Sequence, residues 1–182
     1  MSRKLIADNA QLLIIDVQEK LVNMLEKCII VDKTTILAAV SNSLNIPTLI
    51  TEQYPQGLGN TVNEIKSKLA PETKFEEKVT FSAYEKNEIK GFIDATNKKQ
   101  IILSGIETHI CVLQTALDLI NAGYEVFIVK DACASRSKYE FKLAIERLES
   151  AGAVITCVEM VLFELLGSAR HPKFKELQAL IK

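Results

Sequence analysis

Asp16 and Cys111 are the residues whose type and placement suit proton transfer and attack on a carbonyl. Asp16 closes the apolar run Leu12-Leu13-Ile14-Ile15. A carboxylate there can act as a general base held at a strand end, or it can cap a helix that begins near Glu19. Cys111 lies in Ser104-Gly105-Ile106-Glu107-Thr108-His109-Ile110-Cys111-Val112, which reads as a strand, a tight turn and a helix start with Thr108 as N-cap. In a first helical turn the dipole and the free backbone N–H groups favour a thiolate and can hold an oxyanion. The same residue type is also a common small buried hydrophobe, and spacing alone leaves both readings open. Lys78, in Phe75-Glu76-Glu77-Lys78-Val79-Thr80-Phe81-Ser82, has no neighbour that distinguishes it from a solvated surface cation.

Other chemistries find less support. His109 and His171 are the two histidines. His171 precedes Pro172 and reads as exposed. His109 stands two positions before Cys111, so on a helix it points around the axis from the thiol and makes a poor Cys/His dyad. Gly57-Leu58-Gly59 does not follow a strand directly and lacks the third glycine of a phosphate-binding loop. No His/Cys/Asp cluster has metal-ligand spacing, so neither a metal nor a cofactor is expected. Cys28, Cys133 and Cys157 read as inert buried thiols.

These residues need a scaffold that brings them together. Apolar runs at Leu12–Asp16, Thr48–Thr51, Ile101–Leu103, Glu125–Lys130 and Ala153–Val158 predict strands, with a weaker one at Phe75–Val79. The runs are continuous rather than alternating, as in parallel strands covered on both faces. Between them, Ile36, Leu37, Val40 and Leu44 share one helical face. Val112, Leu113, Ala116, Leu117 and Ile120 share another, ended by Gly123, and Lys138 to Ser150 reads the same way. Alternating strands and helices predict an α/β fold with a mainly parallel sheet. Residues 60–99 carry eight lysines and seven acidic residues, whereas 100–135 carry only five charges. The strand at 101–103 is therefore expected at the centre and 60–99 at the solvated periphery. In such sheets ligands bind beyond the carboxyl ends of the central strands, where Asp16, Glu52, the Gly105–Cys111 turn and Asp131 all fall.

Composition sets the outer bounds. The chain has 182 residues, 48% hydrophobic and 25% charged, with a formal net charge of -1. One domain over 1–182 is expected, with a core that needs no disulfides. The balanced charge, without a basic aromatic-laced face, gives no reason to expect nucleic acid as a partner. The longest uncharged stretch, Thr34 to Thr51, is interrupted by polar residues and Pro47, so no membrane span is expected. No secretory signal and no CxxC spacing are visible, and a cytoplasmic location with reduced thiols is expected.

The segments LLIIDVQEKL, LITEQYPQGLGNTVNEI, FEEKVTFSAY, ILSGIETHICVLQTALDL, GYEVFIVKDACASRS and VLFELLGSARHPKFKEL together resemble the isochorismatase-like cysteine hydrolases over nearly the whole chain. The nearest branch is the isochorismatase domain-containing hydrolases of unassigned substrate. The resemblance implies a three-layer α/β/α sandwich, Rossmann-like, around a parallel sheet of about six strands. It implies an Asp16–Lys78–Cys111 triad. Asp16 would take the thiol proton, Lys78 would stabilise the thiolate, and Cys111 would attack an amide or related carbonyl of a small-molecule substrate to give a thioester-type adduct. It also implies a cis peptide at Ile106–Glu107, an oxyanion site at the N–H groups of Ile110 and Cys111, a pocket lined by Gln18, Phe81 and Tyr84, and a homo-oligomer. A Cys111 pKa well below that of a free thiol follows if Lys78 and the helix start dominate. The nicotinamidase branch binds a metal through an Asp-x-His pair and a later His. Here the matching stretch, Thr51-Glu52-Gln53-Tyr54-Pro55, has no histidine. Two further readings remain: hydrolysis of an isochorismate-like vinyl ether, where a nucleophilic thiol is not needed, and a binding protein that retains the triad.

Overall fold

The apolar runs pair into a six-stranded sheet in the order β3-β2-β1-β4-β5-β6, every pair parallel. The strands are β1 (Ala10–Ile15), β2 (Thr48–Gln53), β3 (Lys74–Lys78), β4 (Gln100–Ile106), β5 (Glu125–Ala134) and β6 (Val154–Thr156). The computed structural model describes residues 4–25 and 29–182; Cys28 lies outside the described residues. The helices are α1 (Glu19–Asn23), α2 (Ile30–Ser43), α3 (Pro55–Leu58), α4 (Asn63–Lys66), α5 (Asn87–Ala95), α6 (Leu113–Asn121), α7 (Lys138–Ser150), α8 (Val158–Leu166) and α9 (Phe174–Gln178).

Successive strand residues face opposite sides of a sheet, so β1 supplies both cores. Leu12 and Ile14 pack with Leu37 and Val40 of α2 and Val161, Leu162 and Leu165 of α8. Leu13 and Ile15 pack with Ile89 and Ile93 of α5, Ala116 and Leu119 of α6 and Leu148 of α7. This double coverage makes the strands uniformly apolar and builds the three-layer α/β/α sandwich. Four residues of the apolar Val161–Leu166 segment are buried core.

The strand order reverses direction at β1, with β2 on one side and β4 on the other. The crevice between the carboxyl ends of β1 and β4 is the topological switch point, the general ligand position in open α/β sheets. Residues 60–99 run along the edge of the sheet as β3 and α5, as their charge suggests. Yet Ile65, Lys78, Ile89 and Ile93 inside that segment are buried.

Candidate active site

The backbone turns sharply just beyond β1, β2 and β4. Asp16, Tyr54 and Glu107 all take the left-handed conformation, with φ of 54°, 37° and 57°. Such a residue costs roughly 1 kcal/mol relative to an ordinary one, and here it redirects side chains. By simple alternation Asp16 would follow Ile14 toward the α2 layer. Its left-handed turn brings the carboxylate to the other face, where Thr51 Oγ1 donates to Oδ1 at 2.6 Å and Lys78 Nζ donates to Oδ2 at 2.7 Å. Asp16 therefore does not cap α1; Gln18 occupies that cap position without a side-chain bond to it.

Lys78 is 3% exposed, not a solvated cation. It stands beside Gln53 in the β2–β3 register, and Gln53 Oε1 accepts from Nζ at 2.6 Å. The carbonyls of Thr80 and Phe81 accept from the same ammonium at 3.3 and 3.4 Å. Neither Thr51 nor Gln53 stood out in the sequence, because their roles arise from strand pairing rather than from a local motif.

The turn that carries Cys111 differs from the expected one. All peptide bonds among the described residues are trans, so the cis Ile106–Glu107 bond is absent. The reversal is made instead by Gly105 at φ 150° followed by left-handed Glu107. A Cβ at Gly105 would lie 2.2 Å from the Ile15 carbonyl oxygen, so only glycine lets β4 run this close to β1. Thr108 is not the N-cap. Its hydroxyl donates to the Ala134 carbonyl at 2.9 Å, and Glu107 takes the cap position of a π-helical turn over Thr108–Val112 that leads into α6. The Ile110 N–H is bonded to the Glu107 carbonyl at 2.8 Å, which removes it as an oxyanion donor.

Glu107 anchors this turn. Its carboxylate meets Arg136 Nε at 2.8 Å and lies 3.2 Å from His109 Nδ1. His109 Nδ1 is also 3.0 Å from Ser135 Oγ, so that ring faces the end of β5.

Cys111 is 6% exposed and lies within electrostatic reach of both Asp16 and Lys78. Burial pushes its thiol up to about 12, and the Asp16 carboxylate pushes the same way, with Lys78 opposing. This reverses the expected depression. The desolvation cost of a buried thiolate outweighs the helix start and the one nearby cation, and the resting sulfur is a thiol.

The three expected pocket residues separate. Gln18 is buried as a brace: its amide donates to the carbonyls of Gln53 and Gly59 and accepts from the Gln53 N–H. Phe81 is 54% exposed beside the Lys78 loop. Tyr84 turns away. Its hydroxyl donates to Asp94 at 3.1 Å, and its ring meets the edge of Tyr124, the residue before β5, so it lies toward the amino end of the sheet. A cavity of about 350 Å³ instead opens along Lys78, Val79 and Thr80 against Tyr54, Pro55 and Gln56. Glu52 faces away from Asp16 and accepts the Thr61 N–H at 2.6 Å. Among the described residues no three His, Cys, Asp or Glu side chains converge as metal ligands, and no helix is long and apolar enough to cross a membrane.

A Rossmann-like α/β/α sheet with an acid, a lysine and a thiol gathered at its switch point defines an enzyme-type scaffold. Residues 10–160 match the isochorismatase domain, and the chain belongs to the isochorismatase family of hydrolases. It is 38% identical to isochorismatase domain-containing protein 2 of Bos taurus, over 98% of this chain and 86% of that one. The structure of the MAR1 ribonuclease from Caenorhabditis elegans superposes with a TM-score of 0.93 at 37% identity, covering 98% of this chain and 92% of that one. The YcaC gene product of Escherichia coli, an octameric hydrolase of unknown specificity, superposes at 0.89 with 25% identity, covering 98% and 96%.

Proposed function

We propose that this chain is a cysteine-dependent hydrolase of a small carbonyl compound, an amide, acting through Asp16, Lys78 and Cys111. The observation that carries the reading is the buried Asp16–Lys78 ion pair at 2.7 Å, with both members acting on the Cys111 thiol. Burying such a pair costs several kcal/mol of desolvation per ion, and Thr51 and Gln53 hold it in one geometry.

Because the resting thiol is protonated, the proton leaves as the sulfur attacks. Cys111 Sγ bonds to the substrate carbonyl carbon while its proton passes to Asp16. The carbonyl electron pair becomes an oxyanion, assigned here to the Cys111 N–H rather than to Ile110. Collapse breaks the C–N bond, and Asp16 returns the proton to the departing amine. Asp16 then takes a proton from water, the hydroxide attacks the thioester, and the sulfur leaves and is reprotonated. The positive charge of Lys78 offsets the charge that passes between Asp16 and sulfur.

The test is turnover of small amides and ureides, with intact-mass analysis of the trapped adduct. An acyl mass on the wild type, absent from Cys111→Ala, is expected; turnover that survives Cys111→Ala would overturn the reading. A vinyl ether hydrolase is the second reading. In that reaction water attacks the vinyl ether, and the Asp16 carboxylate beside Lys78 serves as the base that activates it with no nucleophilic thiol required. Isochorismate turnover that persists in Cys111→Ala selects it. Self-association is part of the proposal, by analogy with the octameric relative, and light scattering measures it. A reducing, cytoplasmic setting is proposed from the free thiols Cys111, Cys133 and Cys157.

A further inference from the structure

Cys111, Thr115 and Asp118 are spaced i, i+4 and i+7, which places them along one face of the turn and helix that begin at Thr108. Thr115 Oγ1 accepts the Ala83 N–H at 2.9 Å. Ser82 Oγ donates to Asp118 Oδ2 at 2.5 Å, and Ser82 is 1% exposed. These two bonds fasten the loop after β3 to the helix that carries the thiol. The same loop supplies the Thr80 and Phe81 carbonyls to the Lys78 ammonium, and Thr80 Oγ1 closes the loop on itself by donating to the Ser82 carbonyl at 2.8 Å.

The contacts therefore form a ring. It runs from Cys111 along the helix face to Thr115 and Asp118, across to Ala83 and Ser82, back through the loop carbonyls to Lys78 and on to Asp16, and the charges of Lys78 and Asp16 act on the thiol. Gln53 and Asp16 hold Lys78 from the β2 and β1 side, and the loop holds it from the α6 side. Without the α6 fastening, two of the four acceptors around Nζ would be carried by a loop tied only at its β3 end.

We propose that Ser82, Thr115 and Asp118 are positioning residues that set the Lys78 ammonium against the Cys111 sulfur. This rests on the reading of Cys111 as nucleophile and adds a role to three residues outside the triad. Loosening the fastening weakens the hold of Lys78 on the thiolate. Less of the thiolate then forms at a given pH, and Cys111 reacts more slowly.

The experiment follows iodoacetamide labelling of Cys111 and Cys133 in the same folded molecules by peptide mapping between neutral and alkaline pH. Cys133 is buried with no lysine acting on it, so it reports general opening of the structure. Ser82→Ala and Thr115→Val should lower the Cys111/Cys133 rate ratio about threefold, which corresponds to a rise of roughly half a pH unit in the thiol pKa. Thr115→Ser, which keeps the hydroxyl, should restore the ratio. Asp118→Asn keeps an oxygen acceptor and serves as the milder variant if Ser82→Ala does not fold. Adding Ser82→Ala to Lys78→Met should change the ratio no further. A purely structural role would leave Cys111 no slower at any pH, or would speed both thiols together as the protein opens; either result overturns the proposal. If the clamp variants leave the ratio unchanged while Lys78→Met lowers it, the positioning role alone fails. If Lys78→Met leaves it unchanged as well, the reading of the site beneath it fails.

Discussion

Two thiols stand one strand apart at the carboxyl end of the sheet. Cys111 follows β4 in the π-helical turn, and Cys133 sits near the end of β5, opposite Gly105 in the register. Both are buried and both are pushed up to about 12. For Cys133 the cause is burial, with a hydrogen bond from the Gly105 backbone opposing it and the Asp131 charge adding to it. For Cys111 a carboxylate and an ammonium stand against the sulfur as well. Burial alone makes a thiol inert, whereas on the proposed mechanism burial beside Asp16 gives Cys111 an acceptor for its proton. The proposed contrast thus lies in the neighbouring charged partners, not in resting acidity.

The largest effect should come from the sulfur itself. Cys111→Ala is expected to abolish amide turnover, whereas Cys133→Ala should leave it within a few-fold of wild type; steady-state rates on a substrate found by screening decide this. Equal losses from the two would erase the distinction. Asp16→Asn comes next. It removes the proton acceptor and leaves Lys78 buried without its counter-charge, so a rate loss of about 10²–10⁴-fold is expected. A stability loss of about 3–5 kcal/mol should accompany it in urea denaturation. A variant that kept near-normal turnover would show that the two thiols differ for some other reason.

Gly105→Ala tests the backbone that separates the thiols. The added methyl meets the Ile15 carbonyl at 2.2 Å, with φ at +150°, so a loss of about 3 kcal/mol or more is expected from thermal denaturation. The smallest effect concerns pH. Both thiols have folded pKa values raised from 9.0 to about 12. Below pH 9 their contribution to stability is fully present. As pH climbs from 9 toward 12 the unfolded chain ionises first and stability falls. Cys133→Ala should flatten part of that alkaline decline in urea midpoints measured over this range, at the cost of a small cavity. An unchanged slope would mean that burial of Cys133 has no titration consequence.

Most of the sheet was legible because β1, β2, β4 and β5 are covered on both faces and so read as unbroken apolar runs. The place of Cys111 after Gly105 and before a helical stripe left it open between a nucleophile and a buried hydrophobe, and the family resemblance, not the spacing, singled it out together with Lys78. Other features were not local. Thr51 and Gln53 matter because β2 lies between β1 and β3. Tyr84 was misplaced because Asp94 and Tyr124, distant in sequence, capture its hydroxyl and ring. The turn before Cys111 was expected to need a cis bond, and a glycine with a left-handed glutamate makes it with trans bonds. The sign of the thiol shift was missed because desolvation depends on how deeply α6 and its neighbours enclose the sulfur, and no spacing rule reports that depth.

The strand order also sets a length requirement. Asp16 leaves β1 and Lys78 ends β3, with β2 between them. Neighbouring strands lie about 4.8 Å apart, so the two backbones are separated by roughly 10 Å. A short carboxylate can cover only a small part of that gap, and the cation must bridge the rest by passing over an entire strand. The long, unbranched Lys78 arm does this, with Gln53 gripping its tip. The lysine is thus a measuring rod for the sheet: its unbranched stem carries the ammonium from β3 across β2 to within 2.7 Å of the Asp16 carboxylate.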